Sequence, residues 1–488
     1  MLNELFLRNT YLLFFIPIIA SVIVNFMYEK RFMVGATKII MISMIFLALR
    51  MLLKCSDFNT TYFIESNSKF NVLSTEFRIN AKNLFFFISI LVCNFIGFIN
   101  YINTILLNKN LNNNNIKYFF AIYLIHLFSI VGIIFTCNIL NLFIFLEIYS
   151  LSIYVTISIY KKNNLNIISY KFFTNNIFGS ILSALAIFYI KIYFGTSNII
   201  DIKQQMISLN IQEHYEVLLM SILFLFSIII KFFLTNTSKY HNTDKVGVNF
   251  LSISNIFVNV AIGLYLIYEV IFFILGTKTL FSLNFIKYII FAISTLIIVY
   301  NSVNFLIKKE NSLFNIFIRF NLINFGYILF FILFYEKNNQ LCINLLMLYL
   351  FEFVTINLIA YLISDIMNIL YENNNINYIN NNKLLRYTFL FLLLYKIFLP
   401  FGTSLYTNLN LISNIIKNKT FIYLLPYIVN KGCFTAFFVK TVNNNIIKEV
   451  ENTEDINNKK RLNNLYFSVF FILGLMLIFE LCFGRIIK

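Results

Sequence analysis

Residues 137–155 read CNILNLFIFLEIYSLSIYV. Apolar side chains run unbroken from Leu142 to Leu146, one carboxylate (Glu147) interrupts them, and the apolar run resumes at Ile148. Coiled as a helix, such a stretch spans roughly 30 Å of hydrocarbon at about 1.5 Å per residue. Lipid offers backbone groups no partner, so a helix is the expected spanning form. A carboxylate at the centre of that helix needs a cation or water to stay charged, and otherwise takes up a proton. Ionisable groups at this depth are costly and mark an ion path by default.

The same texture extends along the whole chain. Apolar spans are predicted at 11–28, 33–53, 84–107, 118–137, 139–160, 172–195, 216–235, 248–274, 283–307, 313–335, 341–365, 387–415, 420–439 and 465–484. The expected fold class is therefore an all-α polytopic membrane protein with about fourteen transmembrane helices. Arg8 precedes the first span in the manner of a signal peptide, but no small-residue cleavage site follows, so it is read as a helix. The junction near Asn138 and Asn141 leaves the fourth and fifth spans close together.

Composition supports this reading. Of 488 residues, 59% are hydrophobic and only 12% are charged, with a mean hydropathy of +0.79. A soluble domain carries roughly 25% charged residues, so an ordinary soluble enzyme and a disordered tail are excluded. Phe and Tyr number 60 and 30, whereas Gly, Pro and Trp number 13, 3 and 0. Phe, Tyr, Asn, Ile and Lys share AT-rich codons, which points to an AT-rich genome. The inner membrane of a bacterium is the expected location, with the mitochondrial inner membrane as the alternative. The six cysteines lack CxxC spacing and the three histidines (His126, His214 and His241) are scattered. No metal site, cofactor site or disulfide framework is expected. No basic segment is long or interleaved with exposed aromatics, so nucleic acid is not an expected partner.

The net charge of +17 is explained by topology. Connections after odd-numbered spans carry Lys30 with Arg31, Lys161 with Lys162, Lys308 with Lys309, and Lys459 with Lys460 and Arg461. Connections after even-numbered spans are poorer in cations. Lys and Arg gather in cytoplasmic loops, which places the odd connections in the cytoplasm and both termini on the opposite side. Asn-rich connectors at Asn112–Asn115, Asn373–Asn375 and Asn443–Asn445 read as solvated polar loops.

Four ionisable residues are read as central in predicted spans: Glu147, Lys191, Lys231 and Lys396; Glu269, Arg319, Glu352 and Asp365 lie nearer span ends or at less certain depths. Arg50 and Glu480 sit nearer span ends, where long side chains reach the interface. Glu147 and Lys231 each have a long apolar surrounding. Together they read either as a proton switch or as a structural ion pair, according to their separation.

The run from Cys137 to Ile148, continuing to Ser152-Ile153-Tyr154-Val155, resembles the fifth helix of the D subunits of multisubunit (Mrp-type) sodium/proton antiporters. These are homologous to the antiporter-like membrane subunits of respiratory complex I, an NADH-quinone oxidoreductase. Tyr170-Lys171-Phe172-Phe173, Gly179-Ser180, the exit Tyr193-Phe194-Gly195-Thr196-Ser197-Asn198, Ile323-Asn324-Phe325-Gly326-Tyr327 and the segment around Pro400 are similar to later parts of that family. The resemblance implies two inverted five-helix repeats, here spans 4–8 and 9–13, with the seventh and twelfth helices interrupted. The implied divisions are 1–107 (three-helix segment), 108–274 and 275–440 (the repeats), and 441–488 (polar loop and last helix). It also implies that Glu147 and Lys231 occupy the family's glutamate and lysine positions, and that other membrane subunits, protons and sodium ions are partners.

The departures are specific. The stretch after Lys231 has no Pro, a chief cause of helix breaks, so an interruption of the seventh span is less expected. Asn259, Asn357 and Asn408 stand where the family carries lysines. Asn donates and accepts hydrogen bonds but carries no proton. Lys191 and Lys396 are the candidates to take over. Two functional readings follow: a proton-translocating subunit, with transfer impaired or altered, and a non-transporting structural paralogue. A multi-pass lipid or polysaccharide transferase needs clustered Asp, His or Arg at a membrane edge, and the sequence has no such cluster.

Overall fold

The computed structural model describes residues 2–55, 61–64, 77–107, 113–159, 163–208, 214–234, 258–268, 284–307 and 424–445, with short helical stretches and single positions between 316 and 416. Its contacts divide into two units, Met1–Ser282 and Leu283–Lys488.

The first unit opens with α1 (Leu2–Phe26) and α2 (Lys30–Lys54), joined by a short turn. A small hairpin follows, which the hydropathy pattern does not foresee. Strand β1 (Thr61–Ile64) pairs antiparallel with β2 (Phe77–Asn80), with Thr61 opposite Asn80 and Ile64 opposite Phe77. Phe77 also bridges to Thr136, which seats the hairpin on the end of a neighbouring helix. The Asn80 side chain accepts from the Asn83 N–H (2.6 Å) and so caps α3 (Ala81–Leu107).

Next come α4 (Asn113–Phe135), α5 (Ile139–Ser158) and α6 (Asn163–Phe194). The α4–α5 junction is a sharp turn in which Asn138 caps α5, its side chain accepting from the Leu140 N–H (2.9 Å). Asn138 also pairs antiparallel with Asn198, just beyond α6. Ile139 N–H donates to Ser197 O and Ile199 N–H to Cys137 O, both at 2.9 Å, so the two turns are clasped together. Gly195 closes α6 at φ +69°, a left-handed conformation that costs a glycine little. A short helix absent from the predicted spans, α7 (Ile199–Ser208), then starts on the Asn198 side chain.

The seventh span is α8 (His214–Ile228), which passes directly into a π-helical segment, Ile229–Leu234. The missing Pro therefore does not preserve a regular helix: the interruption takes the form of a π turn. Part of the eighth span is α9 (Asn259–Tyr268).

Aromatic packing holds this unit. Phe14 of α1 meets Phe77, Phe128 and Phe145 at ring separations of 5.0, 4.7 and 5.4 Å. Such tilted and edge-on pairs contribute about 0.5–1.5 kcal/mol each beyond burial. Gly132 lets α4 lie close to α5, since a Cβ there would come 2.3 Å from the Phe145 ring.

The second unit contains α10 (Asn284–Ile307) packed on α11 (Leu424–Asn445). Gly326 lies against Ile298 of α10, and the Asn430 amide of α11 donates to the Tyr327 hydroxyl at 2.7 Å.

Six helices among the described residues are long and apolar enough to cross a bilayer: Asn9–Phe26, Lys30–Lys54, Ala81–Ile99, Asn115–Phe135, Ile139–Thr156 and Phe172–Phe194. This is a helical polytopic membrane fold. Most of the tenth to twelfth predicted spans, and all of the fourteenth, lie outside the described residues.

Candidate functional site

Glu147 lies midway along α5 and Lys231 in the π turn after α8. The structure brings them together: Lys231 Nζ is 2.5 Å from Glu147 Oε1. Charge-assisted bonds are the short, strong ones. The second carboxylate oxygen, Oε2, accepts from the Ser180 hydroxyl of α6 at 2.9 Å. Three helices thus meet at one carboxylate.

Burial is uneven. The Lys231 side chain is 2% exposed and that of Glu147 29%. The ammonium is sealed, whereas the carboxylate has an open side. The lysine stem lies across Gly179 of α6, where a Cβ would come 2.4 Å from Lys231 Cγ. The glycine beside Ser180 therefore makes the space in which the lysine reaches its partner. The Phe143 ring lies 5.9 Å from Nζ. A π turn inserts one extra residue into the helical repeat and is frequent at functional sites. Here it sets the direction in which Lys231 leaves the helix.

Chemically, the pair holds one or two protons. Moving a proton along the Nζ–Oε1 bond neutralises both groups and leaves the net charge of the pair unchanged. A second proton, accepted at the open side of the carboxylate, leaves an ammonium beside a neutral acid.

A second polar group lies on the same helices. The Tyr149 hydroxyl donates to Asn259 Oδ1 of α9 in a short hydrogen bond. The Tyr149 ring stacks on His126 of α4, with ring centroids 4.6 Å apart, and lies 5.9 Å from the ring of Phe232, the neighbour of Lys231. His126 Nδ1 is 2.9 Å from Ser152 Oγ of α5. Asn259 is therefore buried and hydrogen-bonded rather than facing an empty lysine site.

The other sequence candidates are placed differently. Lys191, read from the sequence as central, occupies the last turn of α6 and is exposed. It lies 11 residues from Ser180, about 16 Å along the axis. The helix ends at Phe194 and Gly195, which puts this lysine near its terminus. Lys396, Asn357 and Asn408 lie outside the described residues. Sequence reasoning gave Tyr149, Ser152 and His126 no role in the site. A histidine alone in an apolar helix has no spacing signature, and only the fold shows what stacks on it.

No protein-family model and no curated protein matches the sequence. Solved structures do match in fold. A chain of the membrane-bound sulfane sulfur reductase (MBS), an archaeal respiratory membrane complex, aligns with a TM-score of 0.78 at 14% identity, covering 98% of this chain and 95% of that one. A chain of the Mrp complex from Dietzia sp. DQ12-45-1b aligns at 0.75 and 14% identity, covering 91% and 81%. A chain of respiratory complex I from Thermus thermophilus with bound NADH aligns at 0.73 and 12% identity, covering 98% and 97%. The fold is thus the one that the resemblance at residues 137–155 implies.

Proposed function

We propose that this chain, folded like membrane chains of Mrp, MBS and complex I assemblies, is an antiporter-like proton-translocating subunit of an Mrp-type antiporter or a complex I-type NADH-quinone oxidoreductase. The observation that carries the reading is the Glu147–Lys231 ion pair, set in a π turn amid apolar helices. A buried charge pair without a transport role gains little over apolar packing. A carboxylate only partly covered beside a sealed ammonium can take up a proton when the pair parts. The shared fold supports the reading, and two repeats at 108–274 and 275–440 are part of the proposal. Other membrane subunits are the partners, and a bacterial inner membrane is the setting. Any redox step belongs to those partners.

Transfer beyond the pair is impaired or water-dependent, because Asn259 carries no titratable proton. That residue also favours a second reading, a non-transporting structural paralogue, since its hydrogen bond to Tyr149 ties α5 to α9 without any charge. Reconstitution of the assembled complex in proteoliposomes separates the two. Glu147→Gln and Lys231→Ala are each expected to lower proton flux at least tenfold while the complex still assembles. Unaltered flux in both variants overturns the transport reading. An assembled wild-type complex without flux leaves the structural one.

A further inference from the structure

We propose that the outer face of α2 holds an anionic glycerophospholipid, with its phosphate between Arg31 and Lys38. The inference is independent of the transport reading.

The packed side of α2 is marked by its buried residues, among them Met33, Thr37, Met41, Met44, Ala48 and Met51. At about 100° per residue, the side turned away from them carries Arg31, Lys38, Ile42 and Phe46. Arg31 and Lys38 are two turns apart, about 10 Å along the axis. No large side chain stands between them on this face. Helical side chains lean toward the N-terminus, so the Lys38 head rises toward Arg31. Among the described residues neither forms an ion pair.

Depth identifies the occupant. Arg50, toward the far end of α2, stands 19 residues from Arg31. That is about 28 Å, close to the roughly 30 Å of a hydrocarbon core. Between them Ile39 is 68% and Phe46 65% exposed. An apolar face of this length with cations at both ends is cut to a bilayer, whereas protein interfaces are depleted in lysine. Lys38 falls about 10 Å inside the slab, a depth at which an ammonium is tolerated when it reaches up to a phosphate. Ile39, Ile42 and Phe46 then lie along the acyl chains.

Further positive charge gathers at the same end. Lys117 of α4 lies 4.2 Å from the centre of the Tyr28 ring in the α1–α2 turn, and Lys30 opens α2. Glu29 is the carboxylate of that turn. One carboxylate against these cations favours a headgroup of net negative charge over a zwitterionic one. Tyr28 and Phe32, both exposed, are the aromatic residues that settle at a membrane–water boundary.

The chain contains no Trp, so I42W gives it a single indole one turn below Lys38. The I42W complex is reconstituted with dibrominated phosphatidylglycerol or dibrominated phosphatidylcholine, and quenching is read as the difference from the parent complex. Phosphatidylglycerol is expected to quench at an about tenfold lower mole fraction. Adding R31Q and K38Q, both off the packed side, is expected to bring the two lipids to parity. A second reporter, L185W on the exposed side of α6, is expected to show parity from the start. Parity in I42W itself, a preference that survives R31Q/K38Q, or the same preference at L185W overturns the proposal. Quenching by neither lipid means that a protein neighbour covers the face, and displacement by inorganic phosphate at matched ionic strength means a soluble-anion site; either overturns it as well.

Discussion

Replacing Gly179 by Ala tests the geometry of the ion pair without touching either charge. The added Cβ would lie 2.4 Å from Lys231 Cγ, 3.2 Å from Cε and 3.3 Å from Cδ. Ordinary carbon contacts begin near 3.4 Å, so about 1 Å of clearance must be found. The crowded atom is Cγ, close to the backbone of the π turn, so a swing of the lysine tip does not relieve it. Either α6 moves away or the lysine changes rotamer. Each route lengthens the 2.5 Å Nζ–Oε1 contact toward about 3.5 Å, the limit of a hydrogen bond. Overpacking costs about 1–3 kcal/mol, and losing the pair brings the cost toward about 3–5 kcal/mol. If a comparable share falls on the transfer step, flux drops about tenfold for each 1.4 kcal/mol. The expected outcome is a 10–100-fold fall in dye-reported proton flux, with a thermal midpoint lowered in proportion to the lost unfolding free energy. Gly35→Ala is the control, because nothing lies within 4 Å of its added Cβ. Wild-type flux and midpoint in Gly179→Ala would falsify the argument that this glycine seats the lysine.

Three further outcomes are expected. In a double-mutant cycle with Glu147→Gln and Lys231→Met, thermal unfolding should give a coupling energy of about 1–3 kcal/mol; simple additivity would mean that the two groups do not interact. Ser180→Ala removes the donor to Glu147 Oε2 and is expected to lower flux several-fold with little change in midpoint, checked in the same vesicles; no change would place that hydroxyl outside the transfer path. Gly195→Ala forces a Cβ into a left-handed conformation and should cost about 1 kcal/mol in unfolding free energy, whereas Gly195→Asn should cost less.

Hydropathy exposed the membrane helices directly, because a span of lipid-facing apolar residues has few alternative explanations. It placed Glu147 and Lys231 inside them for the same reason. Their separation was not legible: Glu147 and Lys231 are 84 positions apart, and their contact depends on the rotation of three helices. The π turn escaped because it has no obligatory residue, unlike a proline kink. The hairpin escaped because Thr61–Ile64 and Phe77–Asn80 are four residues each, too short to stand out beside long apolar runs. Lys191 was read as central although the predicted span 172–195 ends four residues after it, and the structure places it in the last turn of α6.

The clasp between the Asn138 and Asn198 turns gives the bundle a fulcrum. Both helices that hold the carboxylate, α5 and α6, are pinned there, and Glu147 stands eight residues beyond Ile139, about 12 Å up the lever arm. At that radius, parting the charges by about 1 Å needs a rocking of only about 5°. Small pivots at one membrane face would thereby become an open-or-shut contact in the bilayer's interior, with the turns themselves hardly displaced.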